Sequence, residues 1–241
     1  MSCLITILVI LIIVLAYFVL VSLIFKKEIK ATFERDPAAT SFIEVLLTYS
    51  GFHAIMSYRI AHRFFKAGIP FLPRFISQVA RWLTGVEIHP AATIGGGLFI
   101  DHGMGVVIGE TSIIGDNVTL FQGVTLGGTG KERGKRHPTL GNNIVVGAGA
   151  KILGNVRIGD NVQIGANAVV VKDVPPNSTV VGVPGKIVKM QGKKIAGISL
   201  DHTSLPDPIA QSLERLQAEI NHIEKEINEH RRKKLNSDED I

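Results

Sequence analysis

The 241-residue sequence predicts a mainly β protein: a parallel β-helix with a short helical region and a membrane span on its N-terminal side and a coiled-coil helix on its C-terminal side. Three observations carry that reading. Between Ile88 and Pro184 an aliphatic residue returns every six positions, from Leu4 to Phe25 there are 22 residues without a charge, and from Ile209 to Ile227 apolar residues recur at heptad spacing. The composition agrees, since 25 glycines and 6% aromatic residues suit a repeat of tight turns and branched aliphatics.

The repeat falls into three registers: Ile88, Ile94, Ile100; then Ile108, Ile114, Leu120, Leu126 after a slip of two residues; then Leu140, Val146, Ile152, Ile158, Ile164, Val170. Small or branched residues recur four places later, as at Ala92, Val118, Ile144 and Val162, and glycine follows the aliphatic at Gly95, Gly109, Gly115, Gly141 and Gly159. A period of six fits neither an α-helix nor a heptad, and glycine in a helix costs about 1 kcal/mol per position. Short flat strands joined by tight corners do fit it. Three units make one triangular coil, so the thirteen units give a little over four coils over residues 85–190. A coil buries its ladder only against its neighbours, so the two ends of the stack need caps of another kind.

On the N-terminal side, 22 uncharged residues at about 1.5 Å each are long enough to cross a hydrocarbon core of about 30 Å. No basic n-region, short apolar core and small-residue cleavage site mark this stretch as a leader peptide. Residues 1–27 are therefore expected to be a transmembrane anchor through residues 4–25. Lys26, Lys27 and Lys30 follow the span, which is expected to place everything after residue 26 in the cytoplasm, at the inner face of the cell membrane. Residues 28–84 read as helical, with Asp36-Pro37 as a helix start and His53 and His62 as packed or surface histidines.

Composition also restricts function. The net charge of +5 is scattered, and HRRKK at 230–234 runs directly into SDED, so no basic face for nucleic acid is expected. Cys3 is the only cysteine, which leaves no disulfide framework, no four-cysteine zinc site and no core thiol nucleophile. The chemistry must come from histidines and carboxylates. His102, in IDHGMG at 100–105, occupies neither an aliphatic nor a small position of its unit, and Asp101 precedes it. A histidine near neutral pKa, oriented by a carboxylate, suits removal of a proton from an alcohol. Leu126 and Leu140 are 14 positions apart where one unit needs six, so residues 127–139 must leave the prism as a loop ending in Arg136-His137-Pro138. It lacks the first glycine and the final hydroxyl residue of a phosphate loop.

Taken together, EIHPAATIGGGLFIDHGMGVVIGET, VTLGGTGKERGKRHPTLG, GAGAKILGNVRIGDNVQIGANAVV and GVPGKIV closely resemble the serine O-acetyltransferases of the hexapeptide-repeat acyltransferase family. The likeness begins near ERDPAA at 34–39 and YSGFHA at 49–54 and runs to about Val188. The resemblance implies a left-handed β-helix, a homotrimer or dimer of trimers, and a site between two subunits. It implies acetyl-CoA as co-substrate, L-serine as acceptor, O-acetylserine as the product at the first step of cysteine biosynthesis, and no metal. By the same resemblance His102 is the general base, and Glu87, where many members have aspartate, holds its imidazole. Asp36, Asp101, Arg136 and His137 bind the amino acid, while Gly128, Thr129, Ala148 and Ala166 line the groove for the pantetheine arm.

The tail places Ile209, Leu213, Leu216, Ile220, Ile223 and Ile227 at spacings of 4, 3, 4, 3, 4, a coiled-coil seam within residues 205–234 that favours three strands or more. Residues 235–241 form an acidic tail. In the family a C-terminal isoleucine commonly enters O-acetylserine sulfhydrylase, and Ile241 is similar. Three other readings stay open: acetylation of a sugar or polysaccharide, for which Asp36 and Asp101 have no obvious use; a γ-type carbonic anhydrase holding zinc on His89, His102 and His137; and a non-enzymatic trimeric scaffold.

Overall fold

In the computed structural model the described residues are 2–130, 133–190 and 216–224. The chain forms two compact units, residues 1–205 and 206–241. In the second unit residues 216–224 are helical and expose Leu216, Ile220 and Ile223. Ile209, Leu213, Ile227 and Ile241 lie outside the described residues.

The first unit opens with α1 (Ser2–Ile24), in which Ile5–Ile24 has a mean hydropathy of 3.4 and is 6% buried, long and apolar enough to cross a membrane. Its last turns are covered on one side only. Phe18 packs on Phe42, and Val21 and Phe25 join Val45, Leu46 and Phe52 in a small core, whereas Leu20, Leu23 and Ile24 stay exposed. Four further helices follow: α2 (Lys26–Arg35), α3 (Phe42–Thr48), α4 (Ser50–Lys66) and α5 (Leu72–Thr84). Asp36-Pro37 does not start a helix. Asp36 ends α2, its amide donating to Thr32 O, and α3 starts instead at Ser41, whose hydroxyl accepts the Glu44 amide at 3.2 Å while Glu44 reaches back to the Thr40 amide at 3.1 Å.

The first coil is β1 (Glu87–Ile88), β2 (Thr93–Ile94) and β3 (Phe99–Ile100); the second is β4 (Val107–Ile108), β5 (Ile113–Ile114) and β6 (Thr119–Leu120). The third is β7 (Thr125–Gly127), β8 (Thr139–Leu140) and β9 (Val145–Val146); the fourth is β10 (Lys151–Leu153), β11 (Arg157–Ile158) and β12 (Gln163–Ile164). β13 (Val169–Val170) and β14 (Ser178–Val181) extend the stack, and β15 (Lys186–Met190) closes it by turning antiparallel against β14. Every third strand pairs in parallel, giving a first wall β1-β4-β7-β10-β13, a second β2-β5-β8-β11 and a third β3-β6-β9-β12-β14.

The register stacks the predicted aliphatics directly: Ile88, Ile108, Leu126, Ile152 and Val170 in the first wall, and Ile100, Leu120, Val146, Ile164 and Val180 in the third. All are buried in one apolar cluster. The corner between the second and third walls turns through left-handed backbone at Gly97, Asn117, Asn143, Asn161 and Asn177, where short amide side chains tolerate positive φ. Asn143 donates to Asn161 at 3.2 Å and Asn161 to Asn177 at 3.0 Å, tying successive corners together.

The N-terminal end of the stack is an open edge whose carbonyls need donors. The helices supply them: Ser77 to Ile88 O at 2.6 Å, His62 Nδ1 to Pro90 O at 2.7 Å, Tyr58 to Ala92 O at 2.6 Å and Arg59 to Ile94 O at 2.6 Å. His53 Nε2 in turn bonds Leu46 O at 2.7 Å, so both helical-region histidines are packing residues. Arg59 is held by buried Glu28 at 3.0 Å, and buried Arg35 donates to Gly97 O, Val118 O and Thr119 Oγ1 at 3.1–3.3 Å. These contacts fix α2, and with it Asp36, to the β-helix.

Candidate active site

Ile100 and Ile108 are eight positions apart, two more than the repeat, and the surplus is His102-Gly103. Asp101 keeps coil register, its amide donating to Leu120 O at 2.9 Å, and Met104 resumes it, its carbonyl accepting from Gly123 at 2.9 Å. The two residues between them bulge from the corner joining the third wall to the first. His102 has φ 57° and Gly103 φ 74°. Elsewhere in the coils non-glycine residues at positive φ are asparagines, so a histidine there points to function rather than to turn-making. The His102 side chain is 75% exposed, and its Nε2 lies 3.8 Å from Asp101 Oδ1.

The junction of α3 and α4 covers this corner. Gly51 packs so closely on β3 that a Cβ there would meet the Ile100 carbonyl, and Ser50 Oγ donates to His102 O at 3.2 Å. One residue earlier, the Tyr49 hydroxyl donates to Asp36 Oδ2 at 2.7 Å, and the Ala38 amide donates to Oδ1 at 2.8 Å. The Tyr49 phenol is held well above its ordinary pKa by burial first, then by the Asp36 hydrogen bond and the charges of Asp36, Glu44 and Asp101. Asp36, Asp101 and His102 thus share one neighbourhood. Glu87 is not brought to His102 in this way; its Oε2 is paired with Arg81 Nη1 at 3.2 Å, a partly exposed contact.

Arg136 and His137 stand at a different corner, between the first and second walls. The loop leaves β7 and returns to β8 over Gly109, where a Cβ would lie 2.0 Å from His137 Cδ2, so only glycine leaves room for the ring. Thr111 is the hub: its hydroxyl accepts the Arg136 and His137 amides, both at 3.1 Å, and bonds His137 Nδ1 at 2.9 Å. The Thr111 amide also donates to Nδ1, at 3.2 Å, so Nδ1 is the acceptor and Nε2 carries the proton. Burial, followed by the charge of Arg136, lowers the His137 pKa, which keeps the ring neutral. Arg136 pairs with Glu110 at 2.5 Å, and Lys135 Nζ ties down Thr111 O at 2.7 Å and the His137 carbonyl. His89, at the same corner, has its pKa pushed down to about 4, first by burial and then by Arg74.

The four residues predicted for the pantetheine groove divide the same way. Ala148 and Ala166 stack below the His102 corner, the Asn167 amide donating to Ala148 O at 2.8 Å. Gly128 and Thr129 lie by the loop, Gly128 against Arg136 and His137 and Thr129 against Gly154. One chain therefore carries two groups of candidate residues separated by its first wall. The roles of Glu110, Thr111 and Tyr49 escaped the sequence reading. The one available signal was the Gly109-Glu110-Thr111 phrase opposite the loop.

A hexapeptide β-helix with a histidine bulge on one corner and a basic loop on the next is the frame of a hexapeptide-repeat acyltransferase. The family described as bacterial transferase hexapeptide (six repeats) matches residues 137–172, and serine acetyltransferase, N-terminal, matches residues 20–57. Serine acetyltransferase of Bacillus pumilus (strain SAFR-032) is 58% identical over 202 residues, 84% of this chain and 93% of that one. Serine acetyltransferase of Bacillus subtilis (strain 168) is 54% identical over 211 residues, 88% and 96% of the two chains. Among solved structures, Neisseria gonorrhoeae serine acetyltransferase in complex with serine superposes with a TM-score of 0.68 at 48% identity, covering 71% of this chain and 70% of that one. The chain belongs to the serine acetyltransferase family, and its β-helix is of the left-handed kind.

Proposed function

We propose that this protein transfers the acetyl group of acetyl-CoA to the hydroxyl of L-serine, giving O-acetylserine and free CoA in the first step of cysteine synthesis from serine. The observation that carries this reading is the gathering of Asp36 and Asp101 around His102, two carboxylates for an ammonium group beside a base for a hydroxyl. His102 takes the hydroxyl proton as the serine oxygen attacks the thioester carbonyl. The tetrahedral intermediate collapses, the thiolate leaves, and the imidazolium returns the proton to sulfur. By the family resemblance we assign Glu87 as the carboxylate that steadies the imidazolium; its partly exposed pair with Arg81 is a weak competitor for it. Arg136 and the His137 Nε2–H recognise the substrate carboxylate and its surroundings, and Gly128, Thr129, Ala148 and Ala166 admit the pantetheine arm.

His102 and the Arg136-His137 pair sit at opposite edges of one wall, so a complete site needs the loop corner of a second copy. A trimer of β-helices packed side by side supplies it, and the exposed Trp82, Leu83 and Met104 near the His102 corner are apolar surface suited to such contact. We further propose that α1 anchors the enzyme in the cell membrane, with its body on the cytoplasmic side. Lys26, Lys27 and Arg63 line a cavity with Leu23 and Ile24 at the end of the span, where basic groups meet the membrane surface.

Carbonate-washed membranes carrying the full-length protein test both statements in one assay, thiol release from acetyl-CoA. The expected result is activity that stays in the pellet and depends on L-serine, with L-homoserine poorer and a galactoside inert. Thiol release with the galactoside and none with serine contradicts the substrate, and activity in the wash contradicts the anchor.

A further inference from the structure

Tyr49 stands between α3 and α4 with extended backbone, φ −81° and ψ 102°, and its ring is half-buried. Its hydroxyl reaches 13 residues back to Asp36 Oδ2 at 2.7 Å, while the Ala38 amide takes Oδ1 at 2.8 Å. A carboxylate has about four acceptor positions. One donor on each oxygen fixes the plane of the group and leaves one position on each oxygen for an incoming ammonium. The phenol is a dependable donor here, because burial and the surrounding carboxylates keep its proton on across the physiological range. Asp101 is among those carboxylates, so the Tyr49 hydroxyl, bonded to Asp36, also lies within the field of the acid next to His102. Ser50, the next residue, bonds the His102 carbonyl, so the same short junction sets both the acid and the base.

We propose that Tyr49 is a positioning residue: its hydroxyl holds the Asp36 carboxylate in the orientation that receives the ammonium of the amino-acid substrate, and so governs affinity for that substrate. The proposal rests on the serine reading above. Replacing the phenol by Phe keeps the ring and removes the donor, leaving Asp36 Oδ2 to rotate or to take up water. A hydrogen bond to a charged group is stronger than one between neutral groups, so its loss releases part of that orientation.

The test is steady-state kinetics of the full-length protein with Tyr49→Phe, Asp36→Asn and the double variant. Tyr49→Phe is expected to raise the KM for L-serine about tenfold, with kcat and the KM for acetyl-CoA within about twofold and the thermal midpoint held. In the Asp36→Asn background the same change is expected to add nothing, because the phenol acts through that carboxylate. An unchanged serine KM in Tyr49→Phe overturns the proposal, and so does an equal rise with and without Asp36. A fall in thermal midpoint with both KM values rising together would make Tyr49 a packing residue and equally overturn it. Failure of the serine reading would show separately, as wild-type protein with no serine-dependent rate.

Discussion

His102→Ala lowers the serine-dependent rate of thiol release by about 10²- to 10⁴-fold, the range that a positioned general base contributes. The loss is expected in kcat, because in the proposed mechanism the imidazole acts on the hydroxyl only as it attacks, whereas Asp36, Asp101 and Arg136 are assigned to binding the ground state. The fold should survive. His102 belongs to the surplus of two residues that the coil register does not use, and its side chain is 75% exposed, so no ladder position is emptied by the change. Thermal unfolding of the variant is the control: a midpoint near that of wild type assigns the lost rate to chemistry, and unchanged activity would remove His102 from the mechanism.

Gly109→Ala is the next largest expected effect, and it arises without touching a reacting group. Its Cβ would stand 2.0 Å from His137 Cδ2 and 2.1 Å from Nε2, far inside contact distance. The ring has to leave, and with it go the Nδ1 bonds to Thr111 that set the His137 tautomer. The Arg136 amide is bonded to the same hydroxyl, so the loop end moves as a unit. We expect kcat/KM for serine to fall at least about tenfold, with about 1–3 kcal/mol of overpacking cost in stability. Gly134→Ala, on the same loop with nothing within 4 Å of its Cβ position, should leave both quantities unchanged and serves as the comparison.

The β-helix was legible because each coil must repeat the spacing of the one beneath it. A misplaced aliphatic would break the ladder, so a stack such as Ile88, Ile108, Leu126 and Ile152 shows directly as a period. For the same reason the two-residue surplus before Ile108 and the long gap before Leu140 were visible as breaks, and the structure puts His102 at one and Arg136-His137 at the other. The helical region gave less. Asp36 followed by proline marks a cap, but whether it closes one helix or opens the next is decided by Ser41 and Glu44, and its carboxylate is committed by Tyr49, 13 residues on. Thr111 was silent for a different reason. It occupies a corner position where the repeat accepts many residues, and its importance comes only from the loop folded back upon it. The link from Glu87 to His102 came from resemblance alone, and in the structure Glu87 faces Arg81.

The two groups of candidate residues lie on separate corners of one chain, so in the proposed enzyme neighbouring copies complete each other's sites. The direct measurement is complementation: His102→Ala chains and His137→Ala chains are assayed alone, then co-expressed, and the mixed assemblies assayed for serine-dependent thiol release. With random assembly into trimers, three-quarters of the trimers are mixed and each mixed trimer has one of three interfaces intact, so activity should return to about one quarter of wild type. Activity no greater than the sum of the two parents would place the whole site within one chain and rule out a site shared between copies.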